Sequence, residues 1–241
     1  MILLNKKRIL FISSIILCSI FSCSFLNQEL SKTELVSSTP VTNHVVILDA
    51  GHGNPDGGAT NSNGEIIESN LNLQIVLKIQ NLLESSNCTV LLTRSDENGI
   101  YETDSDSIRE KKISDMKNRV KIANNSEAEI FVSIHMNKLN QTQYSGWQTF
   151  YKPDDEYSKS LAHNIQTNLN SFIKADNNRQ IKSISEIYLS KNVEIPLAIV
   201  ECGFLSNYEE SQLLNTDNYQ NNLAWSIYTG IMDYFKENNH K

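Results

Sequence analysis

The sequence predicts a single α/β domain in which a mostly parallel, twisted sheet of about six strands carries helices on both faces. Short uninterrupted apolar runs at residues 44–49, 129–134 and 197–200 are typical of strands that are buried on both faces. The segments between these runs carry apolar residues at spacings of three and four, which predicts helices. Because strands and helices alternate along the chain, the predicted architecture has three layers.

Each element of this fold is predicted from its own local pattern. The predicted strands, in chain order, are 44–49, 89–93, 129–134, 147–151, 187–189 and 197–200. The predicted helices are 68–83, 108–125, 157–172 and 219–235. Within the second helix, the residues expected on the apolar side are Ile113, Met116, Val120, Ile122 and Ala123. The polar, acidic stretch 95–106 predicts a surface loop, and no internal repeat is present.

Composition and charge limit the function classes. The 241 residues are long enough for one domain of ordinary size plus a short extra segment. Three of the 21 basic residues, Lys6, Lys7 and Arg8, lie near the N-terminus, where there is no acidic residue. The rest of the chain therefore has 18 basic and 28 acidic residues. Such an acidic body has no cationic surface for a phosphate backbone, so nucleic-acid binding is excluded.

The N-terminal segment predicts export. Asn5-Lys6-Lys7-Arg8 precedes an uncharged, mostly apolar run, which is the pattern of a signal sequence. Residues 1–26 are expected to be a retained membrane anchor or a cleaved signal peptide, with a lipidated Cys23 as a third alternative. Residues 27–43 are polar and predict a tether. Residues 44–238 then form the folded domain, which is expected to act outside the cytoplasm.

The cysteines divide between the leader and the folded domain. Cys18 and Cys23 belong to the leader, and Cys88 and Cys202 to the domain. The absence of a CxxC motif excludes a thiolate zinc ribbon and a thioredoxin-type redox pair. We expect Cys88 and Cys202 to be two buried thiols, although a single disulfide between them remains an alternative.

Side chains that can bind a metal ion or transfer a proton follow three of the predicted buried strands. His52 follows the first strand between Gly51 and Gly53, His135 follows the third, and Glu201 follows the last. The carboxyl ends of parallel strands meet at one edge of a sheet, so we expect these side chains to converge. Glu68, at the start of the first helix, can face the same edge. Two histidines and a carboxylate with one open position are the ligands of a catalytic zinc ion.

Seven ordered motifs add a family resemblance. They are Asp49-Ala50-Gly51-His52-Gly53, Gly57-Gly58-Ala59, Gly64-x-x-x-Glu68, Leu92-Thr93-Arg94, Arg119-x-x-x-Ala123-Asn124, Ser133-Ile134-His135-x-Asn137 and 200–207, Val-Glu-Cys-Gly-Phe-Leu-Ser-Asn. Together they closely resemble the zinc-dependent N-acetylmuramoyl-L-alanine amidases of the amidase-3 type. The segments 145–151 and 184–189, and a leader followed by a bare catalytic domain, resemble the germination-specific, spore-cortex members of that family.

The resemblance assigns roles to individual residues. It implies His52, Glu68 and His135 as ligands of Zn²⁺, and Glu201 as the catalytic glutamate. The implied reaction is hydrolysis of the amide between N-acetylmuramic acid and the L-alanine of a peptidoglycan stem peptide. The implied substrates are therefore peptidoglycan glycan strands that carry stem peptides.

Three positions depart from the usual family pattern. Ala50 replaces a proline, Asn54 replaces a glycine, and Ser69 stands where a lysine commonly follows the glutamate ligand. Because no ligand is lost, we expect activity, and the changes are expected to act on the rigidity of the turn around His52. An activating protein partner is one alternative, and a weakly active wall-binding protein with the same fold is another.

Several other side chains have two possible roles. Asp49 and Asn137 either orient the histidine ligands or make structural hydrogen bonds. Arg94 and Arg119 either bind substrate carboxylates or form internal ion pairs. For three further residues a structural role is favoured over a functional one. Cys202 should point away from Glu201, because successive strand residues face opposite sides of the sheet. His163 is expected on a helix surface, and Trp147 is expected to pack within a strand.

Overall fold

A computed structural model describes residues 43–102, 107–173 and 177–238 of the protein. These residues form a six-stranded sheet with the strand order β2-β1-β3-β6-β4-β5. The strands are β1 (Val45–Ala50), β2 (Thr89–Leu92), β3 (Ile130–Asn137), β4 (Gln148–Tyr151), β5 (Lys182–Ser183) and β6 (Leu197–Phe204). The helices are α1 (Glu68–Ser85), α2 (Ile108–Asn124), α3 (Glu156–Phe172), α4 (Tyr188–Asn192), α5 (Tyr208–Leu214) and α6 (Asp217–Asn238).

The four neighbouring strands β2, β1, β3 and β6 are parallel, and β4 joins β6 in the antiparallel direction. This arrangement confirms the predicted α/β fold with a mostly parallel sheet. Parallel strands are normally covered on both faces, which explains why β1, β3 and β6 are almost uninterrupted apolar runs.

Alternating side chains of these strands enter two separate cores. On one face, Leu48, Val132 and Val200 are fully buried and pack with apolar residues of α1, α3 and α6. On the other face, Ile47, Phe131 and Ile199 pack with residues of α2 and α4, which cover less of the sheet. The pleat of the strand therefore decides which core each side chain enters.

Local sequence explains where several helices begin. Ser107 and Glu110 form a reciprocal capping box at the start of α2, and the Asp155 side chain accepts two backbone N–H bonds at the start of α3. Helix α1 has no side-chain cap. Instead, the N–H groups of Glu68 and Ser69 donate to the carbonyls of Ala59 and Gly57, at 2.9 and 3.0 Å. These bonds join the start of α1 to the loop that follows β1.

Some predictions need correction. The predicted strand 187–189 is wrong, because Tyr188–Asn192 forms α4 and the edge strand is Lys182–Ser183. Ile187 and Leu189 both contribute to the second core from the short helix and its cap. Ile113 is 48% exposed and does not belong to the buried side of α2, whose buried residues are Arg119 and Ala123.

The predicted leader (1–26) and nearly all of the predicted tether (27–43) lie outside the described residues. Within the described part of the chain, the helices are too short or too polar to cross a membrane.

Candidate metal centre and active site

The four side chains predicted to converge do so at the carboxyl edge of the sheet. His52 follows β1, Glu68 is the first residue of α1, and His135 and Glu201 are paired in register on β3 and β6. One ligand atom from each of His52, Glu68 and His135 lies within 4.8 Å of the others. His135 and Glu201 lie inside their strands rather than after them, since both strands continue beyond the predicted ends.

The backbone at His52 explains its flanking glycines. His52 has a φ of 62°, and Gly53 has a φ of 142°, so the chain turns sharply after β1. The Arg119 guanidinium donates to the His52 carbonyl at 2.6 Å and supports this turn from α2. The imidazole is therefore carried on a turn that is fixed by a helix packed beside it.

Both nitrogens of the His52 ring face carboxylates. Nδ1 lies 2.9 Å from Asp56 Oδ2, and Nε2 lies 3.3 Å from Glu68 Oε1. The Lys112 ammonium contacts the other Asp56 oxygen at 2.9 Å. Burial alone would lower the pKa of His52, but the hydrogen bonds and charges of Glu68 and Asp56 raise it to about 9. A divalent cation would be stabilised by the same negative potential.

The Glu68 carboxylate is held by several donors. Oε2 accepts from the Ala59 N–H at 2.7 Å, and Oε1 accepts from the Met136 N–H at 3.1 Å. Oε1 also lies 3.0 Å from His135 Nδ1. Burial alone would raise the pKa of this carboxyl, but His135 and His52 hold it well below its usual range. Glu68 is therefore an anion at neutral pH and only 3% exposed.

Because two glycines lack a Cβ atom, the side chains of the candidate ligands can occupy the space beside them. A Cβ atom at Gly51 would lie 2.2 Å from His135 Cε1. A Cβ atom at Gly58 would lie 2.6 Å from Glu68 Oε2 and 2.7 Å from His52 Cδ2. The motifs around Gly51 and Gly58 thus keep the backbone close to all three candidate ligands.

Glu201 is a half-buried residue, and one oxygen of its carboxylate makes no hydrogen bond within the described part of the chain. This oxygen, Oε2, is itself buried. Burial raises the pKa of Glu201, and this effect outweighs the lowering by the His135 charge. An unpaired buried oxygen is costly unless something else contacts it, so the position is typical of a functional group.

These residues fit a zinc ion by the chemistry of their donors. Imidazole nitrogens and a carboxylate oxygen are ligands that zinc takes in catalytic sites. The candidate ligands already converge around a glycine-lined space, and Glu201 is paired in register with His135 on the neighbouring strand.

Asp56 was missed by the sequence analysis as a partner of His52. The residues considered for that role make other contacts. Asp49 accepts from Thr93 and Ser133, at 2.7 and 2.5 Å, and pairs with Arg119. The backbone carbonyl of Asn137 accepts a hydrogen bond from the Leu205 N–H. The position of Asp56, four residues after His52 in the glycine-rich loop, was the available signal.

Both candidate arginines have internal partners. Arg94 donates to the backbone carbonyls of Ala50, Gly51 and Ser69 at 2.8 to 3.1 Å. Arg119 is 1% exposed and lies between Asp49 and Asp115. Ion pairing and backbone support, rather than substrate binding, therefore account for both guanidinium groups.

The remaining structural predictions are confirmed. Cys88 and Cys202 are free, buried thiols, and Cys202 lies in the core opposite the face that Glu201 occupies. Burial raises the pKa of the Cys202 thiol far above its usual value, which is unsuited to a nucleophile. Trp147 is fully buried, and His163 is exposed on α3.

A cleft of about 260 Å³ adjoins the candidate ligands. Its walls include His52 and His135 together with residues of α2 and α4. The apolar and cationic part of the lining includes Tyr101, Ile108, Lys111, Lys112, Met116 and Leu189. A substrate in this cleft would lie directly beside the candidate metal site.

Comparison with protein families matches residues 46–233 to Amidase_3, the N-acetylmuramoyl-L-alanine amidases. The chain belongs to this amidase family. It is thus an N-acetylmuramoyl-L-alanine amidase, the enzyme class that cleaves peptide from peptidoglycan.

Individual relatives agree with this assignment. The germination-specific N-acetylmuramoyl-L-alanine amidase of Bacillus subtilis is 35% identical over 92% of each chain. The CwlD amidase of Clostridioides difficile, solved in complex with the GerS lipoprotein, is 44% identical with a TM-score of 0.79, and the match covers 81% of this chain and all of that one. The catalytic domain of CwlV from Bacillus (Paenibacillus) polymyxa is 29% identical with a TM-score of 0.69, over 80% and 98% of the chains. The chain thus resembles a germination-specific member of its family.

Proposed function

We propose that this amidase hydrolyses the amide between N-acetylmuramic acid and L-alanine in spore-cortex peptidoglycan, with zinc as its metal. The observation that carries the proposal is the convergence of His52, Glu68 and His135 beside Glu201. Three candidate ligands lie within 4.8 Å of one another, and the buried Oε2 atom of Glu201 has no hydrogen-bond partner among the residues that the structure describes.

In this proposal the residues have distinct roles. His52, Glu68 and His135 would hold the zinc ion, which would supply Lewis-acid polarisation of the scissile carbonyl and would lower the pKa of water. Glu201 accepts the proton of the attacking water and donates it to the leaving amine of L-alanine. The raised pKa of Glu201 suits a group that must both take and release a proton near neutral pH.

The cortex as the site of action is supported by the relatives. Both the Bacillus subtilis enzyme, which is named as germination-specific, and the CwlD amidase resemble this chain over most of their length. Because that CwlD was solved with a lipoprotein, an activating protein partner is part of the proposal. The leader would bring the domain to the outer side of a membrane, as an anchor or as a cleaved signal peptide.

Release of stem peptides tests the reaction directly. Purified protein loaded with zinc is incubated with vegetative and cortex peptidoglycan, and new L-alanine amino termini are quantified. We expect release by the wild type, loss of release on chelation, and a loss of about 10²-fold or more in Glu201→Gln. Glu194→Gln changes an exposed glutamate seven residues away and should leave the rate unchanged.

The result also separates partner dependence from inactivity. Zinc content is measured in the same preparations by mass spectrometry. Zinc-loaded protein that releases no L-alanine termini from either material, even after a partner is added, contradicts the proposed reaction. Protein that binds zinc and cleaves only after a partner is added supports a partner-dependent enzyme.

A further inference from the structure

Within the described part of the chain, the cleft beside the candidate metal site contains one ammonium group without a carboxylate partner. Asp49 and Asp115 pair with Arg119, and Asp56 pairs with His52 and Lys112. Among the described residues, Lys111 has no carboxylate within ion-pair distance. In a body of net negative charge, Lys111 is thus the cation of this cleft that remains available to an anion.

The surroundings of Lys111 hold its ammonium in place without neutralising it. Its Nζ atom lies over the Tyr101 ring, 5.0 Å from the centroid. Tyr101, Ile108 and Leu189 give this end of the cleft apolar walls. A ring face orients an ammonium while leaving its N–H donors free for a carboxylate.

The size of the cleft limits which carboxylate can reach Lys111. Pockets that enclose drug-sized ligands have volumes of about 300–1,000 Å³, and this cleft is slightly smaller. It therefore holds a short segment next to the scissile amide rather than a whole stem peptide. In a stem peptide that continues through the γ-carboxyl of its second residue, the first free carboxylate beyond L-alanine is the α-carboxylate of that residue.

We propose that Lys111 binds the α-carboxylate of the second stem-peptide residue, and that the enzyme therefore prefers peptides in which this carboxyl is free over those in which it is amidated. This inference rests on the proposed amidase reaction and specifies its substrate. Lys111 is a binding residue and takes no part in the proton transfers.

Two matched substrates test the preference. They are disaccharide tripeptides that differ only in whether the α-carboxyl of the second residue is free or amidated. For the zinc-loaded wild type we expect kcat/KM to be about tenfold higher with the free carboxylate, the size of a charge-assisted hydrogen bond. Lys111→Gln should lose this preference by slowing only on the free acid, and Lys111→Arg should keep it.

Lys117→Gln is the matched control, because Lys117 is an exposed lysine on the same helix that does not line the cleft. It changes the net charge equally and should retain the preference. Equal turnover of both substrates by the wild type, or a preference that survives in Lys111→Gln, would overturn the proposal.

A binding measurement separates this proposal from the reaction on which it rests. In the Glu201→Gln background, calorimetry gives Kd for both substrates with and without Lys111→Gln. A Kd about tenfold lower for the free acid, lost in Lys111→Gln, supports the subsite even if no hydrolysis is found. Equal Kd values for the two substrates refute the subsite, whereas failure of zinc-loaded protein to cleave either substrate refutes only the reaction.

Discussion

Asp56 and Glu68 contact opposite nitrogens of the His52 ring, at 2.9 and 3.3 Å. A carboxylate on the far nitrogen of a metal-binding histidine fixes the ring orientation and makes the ligating nitrogen more basic. Lys112 in turn holds the second oxygen of Asp56. At the scale of residues, the metal site therefore extends beyond its three candidate ligands into the loop after β1 and into α2.

Two substitutions of Asp56 should weaken zinc binding to different extents. Asp56→Asn keeps an acceptor for the His52 N–H but loses the charge, and we expect about tenfold weaker zinc affinity. Asp56→Ala loses both the acceptor and the charge, and we expect its zinc affinity to be about 100-fold weaker. Competition with a chromophoric chelator measures the affinity.

The control for both Asp56 variants is Asp154→Asn, which changes an exposed aspartate in the turn before α3. It should bind zinc like the wild type. Unchanged affinity in Asp56→Ala would mean that His52 is oriented by other contacts.

The loop between β1 and α1 is the element that assembles the candidate site. It carries His52 on a turn with positive φ, and its Ala59 N–H binds the Glu68 carboxylate. Its Gly51 and Gly58 lie so close to the candidate ligands that a methyl group at either position would overlap them. The loop therefore sets the distance between the end of β1 and the start of α1.

Gly51→Ala tests this close approach. The added Cβ would lie 2.2 Å from His135 Cε1, so the imidazole must move. We expect zinc affinity to fall by at least about 100-fold, more than the loss of an orienting contact causes. Zinc retained after dialysis is measured, and circular dichroism confirms that the domain is folded.

Gly64→Ala provides the comparison for Gly51→Ala. Apart from the two chain neighbours, no heavy atom of the described residues lies within 4 Å of the added Cβ, although Gly64 has a φ of 78°. Gly64→Ala should reduce the folding free energy by about 1–2 kcal/mol, because a residue with a Cβ is disfavoured at this positive φ. It should leave zinc binding intact. Normal zinc content in Gly51→Ala would show that the sheet edge can relax around the new methyl group.

Helices cover one face of the sheet more fully than the other, and the candidate site opens on the less covered face. Helices α1, α3 and α6 pack on one face, whereas α2 and the short α4 cover the other. Asp49 and Arg119 form a fully buried pair between β1 and α2 on the thinner face. At the scale of the whole molecule, this pair joins α2 to the sheet in place of a larger apolar contact.

The Asp49 carboxyl should make stability depend on pH. Burial would raise its pKa, but the Arg119 charge and bonds from Ser133 and Thr93 hold it below its usual value. Its contribution is therefore present above the unfolded pKa of about 3.9 and is lost as the pH falls through the lower folded pKa. We expect Asp49→Asn to reduce the free energy of unfolding by about 1–3 kcal/mol at pH 7, since it removes one of the two carboxylates that pair with Arg119, while Asp115 remains.

Urea unfolding at pH 7, 5 and 3 measures this dependence. The difference between the wild type and Asp49→Asn should shrink below about pH 4, where the Asp49 carboxyl of the unfolded wild-type chain begins to bind a proton while the folded one does not. A difference that stays constant down to pH 3 would assign the effect to packing instead of charge.

The amino-acid sequence by itself determined the fold class, because the apolar runs of β1, β3 and β6 and the helical spacings between them are local patterns. It also indicated His52, His135 and Glu201, since side chains at the carboxyl ends of parallel strands share one edge. It failed at 187–189, where three residues with apolar character are equally compatible with a strand and with a short helix.

Only the tertiary structure decided the contacts between residues that are distant in the chain. It showed that Arg119 supports the turn at His52, 67 positions away, and that Lys112 contacts Asp56 from α2. It also assigned Asp49 to Arg119 and not to a histidine, and left Lys111 without a carboxylate among the described residues. Hydrogen bonds and ion pairs depend on distances of a few ångströms, and local sequence patterns do not determine such distances across separate elements.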